Sequence, residues 1–233
     1  MEYERQIYQA TTREELRDGI LHKAACLQAL GLYDKAAATL ERTNIDAATL
    51  PKLVANLYLS GQYEKAANII EDYQLENDTL YGDMLLVYIL TLNELHRYDE
   101  SLKAAQMMAA QHEEATGWRT MEQVNSIYRH LPKQKSETAA RWLSMVPGLG
   151  HIYAGYPLEG ITAFIINGAA LGFGVWQVME KCYFTAYFGG AGLLSSTFPG
   201  NQRSAVEHVK KRNFKRNNDF NQKAKERLLI LFQ

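Results

Sequence analysis

A chain of 233 residues has room for one or two domains, and its formal net charge of −1 hides a segregation. Residues 201–233 carry nine Lys or Arg against three acids, a charge of +6, which leaves −7 on the rest; such a split marks an interaction tail for an anionic surface or nucleic acid. The two cysteines, Cys26 and Cys182, exclude a disulfide framework, have no metal-ligand spacing, and read as two buried, inert thiols.

The first 19 residues are charged and contain no apolar run, so no cleavable signal peptide is expected; the chain either starts in the cytoplasm or is a mature form. Next comes a repeat with a period of 30: Gly31, Tyr33, Lys35, Ala36, Ala37 and Glu41 recur as Gly61, Tyr63, Lys65, Ala66, Ala67 and Glu71. A looser third copy begins at His96 with Tyr98 in the tyrosine position. Each copy has the logic of a helix–turn–helix. First helices are expected over 13–30, 51–60 and 80–95, with Leu53, Leu57 and Tyr58 at helical spacing. The Gly makes the turn, the Tyr opens the second helix, and the paired alanines let the two helices approach.

Gly31-Tyr33-Ala36 and Gly61-Tyr63-Ala66 resemble the Gly-x-Tyr-x-x-Ala core of tetratricopeptide repeats, over residues 14–130. The spacing departs from that family's period of about 34, and His96 and Ser101 replace Gly and Ala in the third copy. The resemblance implies an all-α fold, an α-solenoid over residues 1–130 whose concave surface binds a protein or peptide partner.

A polar linker, 131–141, leads to residues 142–200, which hold only three formal charges: Glu159, Glu180 and Lys181. Residues 161–179 and 182–200 are two uncharged stretches, each about 28 Å as helix, close to a hydrocarbon core of roughly 30 Å. They read as a two-span hairpin turned at Glu180–Lys181. Gly168 and Gly172 offer a small-residue packing step, and Asn167 a bridge between helices. Trp142, Tyr153, Tyr156, Trp176, Tyr183 and Tyr187 are expected near the interfaces. The broken segment 144–160 reads as a re-entrant or interfacial turn.

Pro147-Gly148-x-Gly150-x-x-Tyr153-x-Gly155, followed by Glu159, Gly160 and later Phe198-Pro199-Gly200-Asn201, resembles the two-span membrane proteins of the TM2-domain type. With the repeats before it and the basic tail after it, the chain looks like bacterial envelope proteins that join helical repeats to such a hairpin. Some of those relatives are linked to a membrane-protein insertion factor. That resemblance implies the inner membrane, a role in envelope assembly or membrane-protein biogenesis, and repeats in the periplasm if a leader has been removed. The positive-inside rule places the +6 tail and both hairpin flanks in the cytoplasm.

The tail, 201–233, reads as a basic amphipathic helix with Val206, Val209, Phe214 and Phe220, suited to anionic lipid head groups; nucleic acid is not expected. No nucleophile elbow, phosphate loop, zinc-protease motif or Cys-x-x-Cys occurs, so no enzyme, cofactor or metal site is expected. The histidines His22, His96, His112, His130, His151 and His208 are scattered. His151 and Glu159 flank the hairpin entrance, and His151 reads as a hydrogen-bonding belt residue. The functional expectation is a membrane-anchored scaffold or adaptor. A small oligomeric transport or channel unit is the alternative, with Thr162, Asn167, Gln177 and 195–197 as its polar stripe.

Overall fold

The computed structural model describes residues 2–43, 46, 48–76, 82–111 and 114–232, with side chains except at 76 and 114–118. His112 and the expected helix start at Leu80 lie outside these residues. Among the described residues the chain is helical throughout, with no strand. It forms two compact units, residues 1–131 with 221–233, and residues 132–220.

The first unit comprises α1 (Glu2–Gln9), α2 (Arg13–Ala29), α3 (Tyr33–Leu40), α4 (Leu50–Leu59), α5 (Tyr63–Glu76), α6 (Gly82–Glu94), α7 (Tyr98–Ala110) and α8 (Glu114–Tyr128). Three helix pairs are therefore present at the repeat positions, and Tyr33, Tyr63 and Tyr98 each open the second helix of a pair. Thr12 caps α2 in a reciprocal box with Glu15. Each first helix ends in the same closure. Gly31 and Gly61 take left-handed φ of 72° and 78°, and the following amide reaches five residues back, Leu32 N to Leu27 O and Gln62 N to Leu57 O, both 2.9 Å. His96 adopts φ 59° at the third turn, with Arg97 N donating to Leu92 O at 2.9 Å. The lost Gly is thus replaced without loss of the turn, at the steric cost of a Cβ.

Ala36, Ala37, Ala66 and Ala67 are buried, as the close approach of paired helices requires. Ser101, in the alanine position of the third pair, is fully buried and satisfied: its hydroxyl donates to Ile89 O at 3.0 Å and lies 2.7 Å from the Tyr128 hydroxyl. The repeated acids also have a common use, since Glu41 pairs with Lys65 and Glu71 with Arg97, each in the following repeat. The thiol of Cys26 is exposed and free, as is that of Cys182 in the second unit, which corrects the expectation of two buried thiols.

The second unit contains α9 (Glu137–Leu143), α10 (Leu149–Ala154), α11 (Pro157–Met179), α12 (Tyr183–Thr185), a π-helical turn (Ala186–Ala191) and the first part of α13 (Gly192–Phe232), whose residues from Asn221 onward belong to the first unit. Among the described residues one helix, α11, is long and apolar enough to cross a membrane. The expected second span, 182–200, is not a single helix of that kind. Its ladder widens to a π turn at Ala186–Ala191, where Gly190 sits so close to α11 that a Cβ would lie 2.7 Å from Gly174 Cα. The small-residue contact is therefore Gly174 on Gly190; Gly168 and Gly172 face open space. Glu180–Lys181 does form the turn, closed by Lys181 at φ 58° and Cys182 N donating to Gln177 O at 2.9 Å.

Pro199 lies inside α13 without ending it, so no break separates the expected hairpin from the expected tail. The expected linker is also tied down within the second unit. Lys135 N donates to Asn213 Oδ1 at 2.9 Å, Asn213 Nδ2 returns to Lys135 O at 2.8 Å, and Arg216 donates to Lys133 O at 2.8 Å.

Candidate functional site

The glycines of the Pro147–Gly160 segment carry the geometry of the hairpin entrance. Gly148 has φ +91°, and a Cβ there would lie 2.1 Å from Gly160 O. At Gly150 a Cβ would strike the Ser144 hydroxyl at 1.8 Å, and at Gly155 (φ +96°) the Arg212 guanidinium at 1.4 Å. Short α10 is thereby pressed against the first turn of α11 on one side and against α13 on the other. Arg212 donates to Ala154 O at 3.1 Å, and Lys135 donates to Tyr153 O, so two cations cap the α10 carbonyls. Burial and the neighbouring Arg212 and Arg216 push the Lys135 pKa below its ordinary value.

Tyr153 and Tyr156 pack on the small core of Ala140, Ala154, Val206 and Val209, and the Tyr153 hydroxyl accepts from Ser136 N at 3.0 Å. Trp142, Trp176, Tyr183 and Tyr187 are exposed. Pro147 precedes the turn; Gly200 has open space at its Cβ, and Asn201 is half-buried with Nδ2 unpaired. These last two do not join the entrance constellation.

What the packing does bring together is His151 from α10, Glu159 from the first turn of α11, and His208 from α13. One ligand-type atom of each lies within 4.8 Å of the others. His208 Nε2 is 2.6 Å from Glu159 Oε2, and its ring lies against Tyr156, tilted by 32°, at 3.9 Å between centroids. The His151 and His208 rings meet edge to face at 5.6 Å. His151 is 3% exposed, and its Nδ1 has no hydrogen-bond partner, nor has Nδ1 of His208. The hydrogen bond expected of His151 is thus missing at Nδ1. Burial, then the neighbouring His208, pushes the His151 pKa below its ordinary value. Sequence reading singled out His151 and Glu159 but missed His208, because only the fold of α13 against α10 supplies the third member.

A second feature lies in the first unit. The last stretch of α13 buries Asn221, Ala224 and Leu228 there. Asn221 Oδ1 accepts from the Tyr98 hydroxyl at 3.1 Å, its Nδ2 donates to Glu94 at 3.1 Å, and Lys225 Nζ lies 4.9 Å over the Tyr58 ring. Burial and nearby Glu94 push the Tyr98 hydroxyl up to about 12, which keeps it a neutral donor. This part of the tail is therefore seated on the repeat helices. Arg203, Lys210, Lys211, Lys215 and Lys223 remain exposed.

No protein-family model matches this chain, and neither a curated protein nor a solved structure does.

Proposed function

We propose that the protein is a membrane-anchored helical-repeat scaffold: a tetratricopeptide-like solenoid that binds a protein partner and a TM2-like hairpin that holds it at the bacterial inner membrane. The supporting observation is the apolar surface of the hairpin. Phe164, Ile165, Leu171, Val175, Trp176 and Met179 on α11 are all more than half exposed, as are Phe184, Tyr187 and Phe188 beyond the turn. The core helix of a water-soluble protein buries such residues, and an uncovered apolar surface of this extent calls for lipid or protein. Helix α11 spans about 34 Å, enough for a hydrocarbon core of roughly 30 Å. The π-turned return helix completes the crossing, and both flanks lie in the cytoplasm by the positive-inside rule.

A transport or channel unit needs polar groups free to line a path. Asn167 and Thr197 instead bond to each other at 2.8 Å, and the hydroxyls of Thr162, Ser195 and Ser196 bond to carbonyls of their own helices. The scaffold reading is therefore preferred. A role in envelope assembly or membrane-protein biogenesis follows from the family resemblance.

The two free thiols give the test. In intact cells a membrane-impermeant thiol reagent is expected to label Cys182, at the turn, and to reach Cys26 only after lysis. The protein is expected to stay in the membrane pellet through carbonate extraction. Release into the carbonate supernatant would sink the anchor, and labelling of Cys26 alone would reverse the orientation. Purification in detergent with a stoichiometric foreign protein supports the scaffold; a homo-oligomer that conducts ions in liposomes supports the transport unit.

A further inference from the structure

We propose that His151, Glu159 and His208 bind a divalent transition-metal ion, with Zn²⁺ the best match, at the hairpin entrance. Two imidazoles and one carboxylate form a borderline N₂O donor set, which suits Zn²⁺ and its neighbours rather than Ca²⁺ or Mg²⁺. Three ligands leave a fourth position for water or another donor.

The alternative of a simple ion pair accounts for only two of the three residues. A protonated His208 satisfies Glu159 at 2.6 Å. It leaves His151, 3% exposed, with its Nδ1 unpaired. A metal ion resolves this arrangement, since it gives all three side chains a common partner. Tyr156 packs against the His208 ring, tilted by 32°.

Tetrahedral coordination with bonds near 2.0–2.1 Å sets donors about 3.3 Å apart. Glu159 therefore has to swing back slightly from His208, and it can, because its side chain is half exposed. That exposure also gives the ion a route in. The ligands come from α10, α11 and α13, three helices of the second unit, so a bound ion cross-links the entrance to the returning helix.

The experiment uses the full chain, purified in detergent without a histidine tag and stripped by chelator, with Co²⁺ as a visible probe and Zn²⁺ as competitor. One equivalent of Co²⁺ is expected to bind, giving ligand-field absorption that Zn²⁺ abolishes, and Zn²⁺ is expected to raise the melting temperature. His208→Gln and Glu159→Gln should each weaken binding on the order of tenfold or more. His130→Gln, at an exposed residue of the first unit, should leave it unchanged. Glu159→Gln keeps the size of a half-exposed side chain, so unchanged helicity by circular dichroism separates ligand loss from misfolding. The proposal is overturned if no stoichiometric site appears, or if a helical Glu159→Gln and His208→Gln bind like the parent. Loss of the site in His130→Gln overturns it equally.

Discussion

A Cβ at position 148 would lie 2.1 Å from the Gly160 carbonyl, in a backbone whose φ of +91° already disfavours every L side chain. Because the clash is with backbone, no rotamer relieves it. Gly148→Ala is expected to destabilise the second unit by about 3 kcal/mol or more, read as a lower unfolding midpoint in detergent. The opposite sign is expected at His96, which holds φ 59° where the two earlier repeats have Gly. His96→Gly removes a left-handed strain of about 1 kcal/mol and should raise the midpoint by thermal unfolding. The glycines, the tyrosines and the paired alanines were legible in the sequence because each residue type answers a local requirement. His208 was not, since nothing near it in the chain marks it apart from any exposed histidine of a basic helix. The two thiols were misread for a related reason: a cysteine's average burial says nothing about which face of α2 carries Cys26.

At the scale of elements, the hairpin depends on one polar contact inside an apolar pair. Asn167 is buried, donates to Ala163 O at 2.7 Å and accepts from Thr197 at 2.8 Å. Thr197→Val keeps the volume and removes the donor, and is expected to cost about 1 kcal/mol in a denaturant titration in detergent. Asn167 as a helix bridge could be read from sequence, because a lone amide in an apolar stretch needs a partner. The partner itself could not. Nor could the π turn, since charge counting sees residues 182–200 as one uncharged stretch while the close contact of Gly190 with Gly174 changes the ladder. Within α13, Pro199 costs one hydrogen bond and the helix continues.

For the molecule as a whole, the basic C-terminal segment was expected to be a tail, and its charge alone supports that. Its apolar spacing shows more. Val206 and Val209 are buried in the second unit, and Ala224 and Leu228 in the first. Leu228 is fully buried, so Leu228→Ala is expected to destabilise the first unit by about 2–5 kcal/mol, measured as earlier loss of helicity on heating. A tail lying free on lipid would show no change. The three helix pairs could be expected from the period of 30, whereas the last stretch of α13 could not be assigned to them by any repeat.

That last stretch is also a ligand already in place. Residues 221–232 occupy the face carrying Tyr58, Glu94 and Tyr98, and they are covalently attached to it. A partner peptide aimed at the same face would have to displace this segment of α13 first. Its apparent affinity for the intact chain is then set by the displacement equilibrium rather than by its own contacts. A partner that docks elsewhere on the repeats feels no such competition.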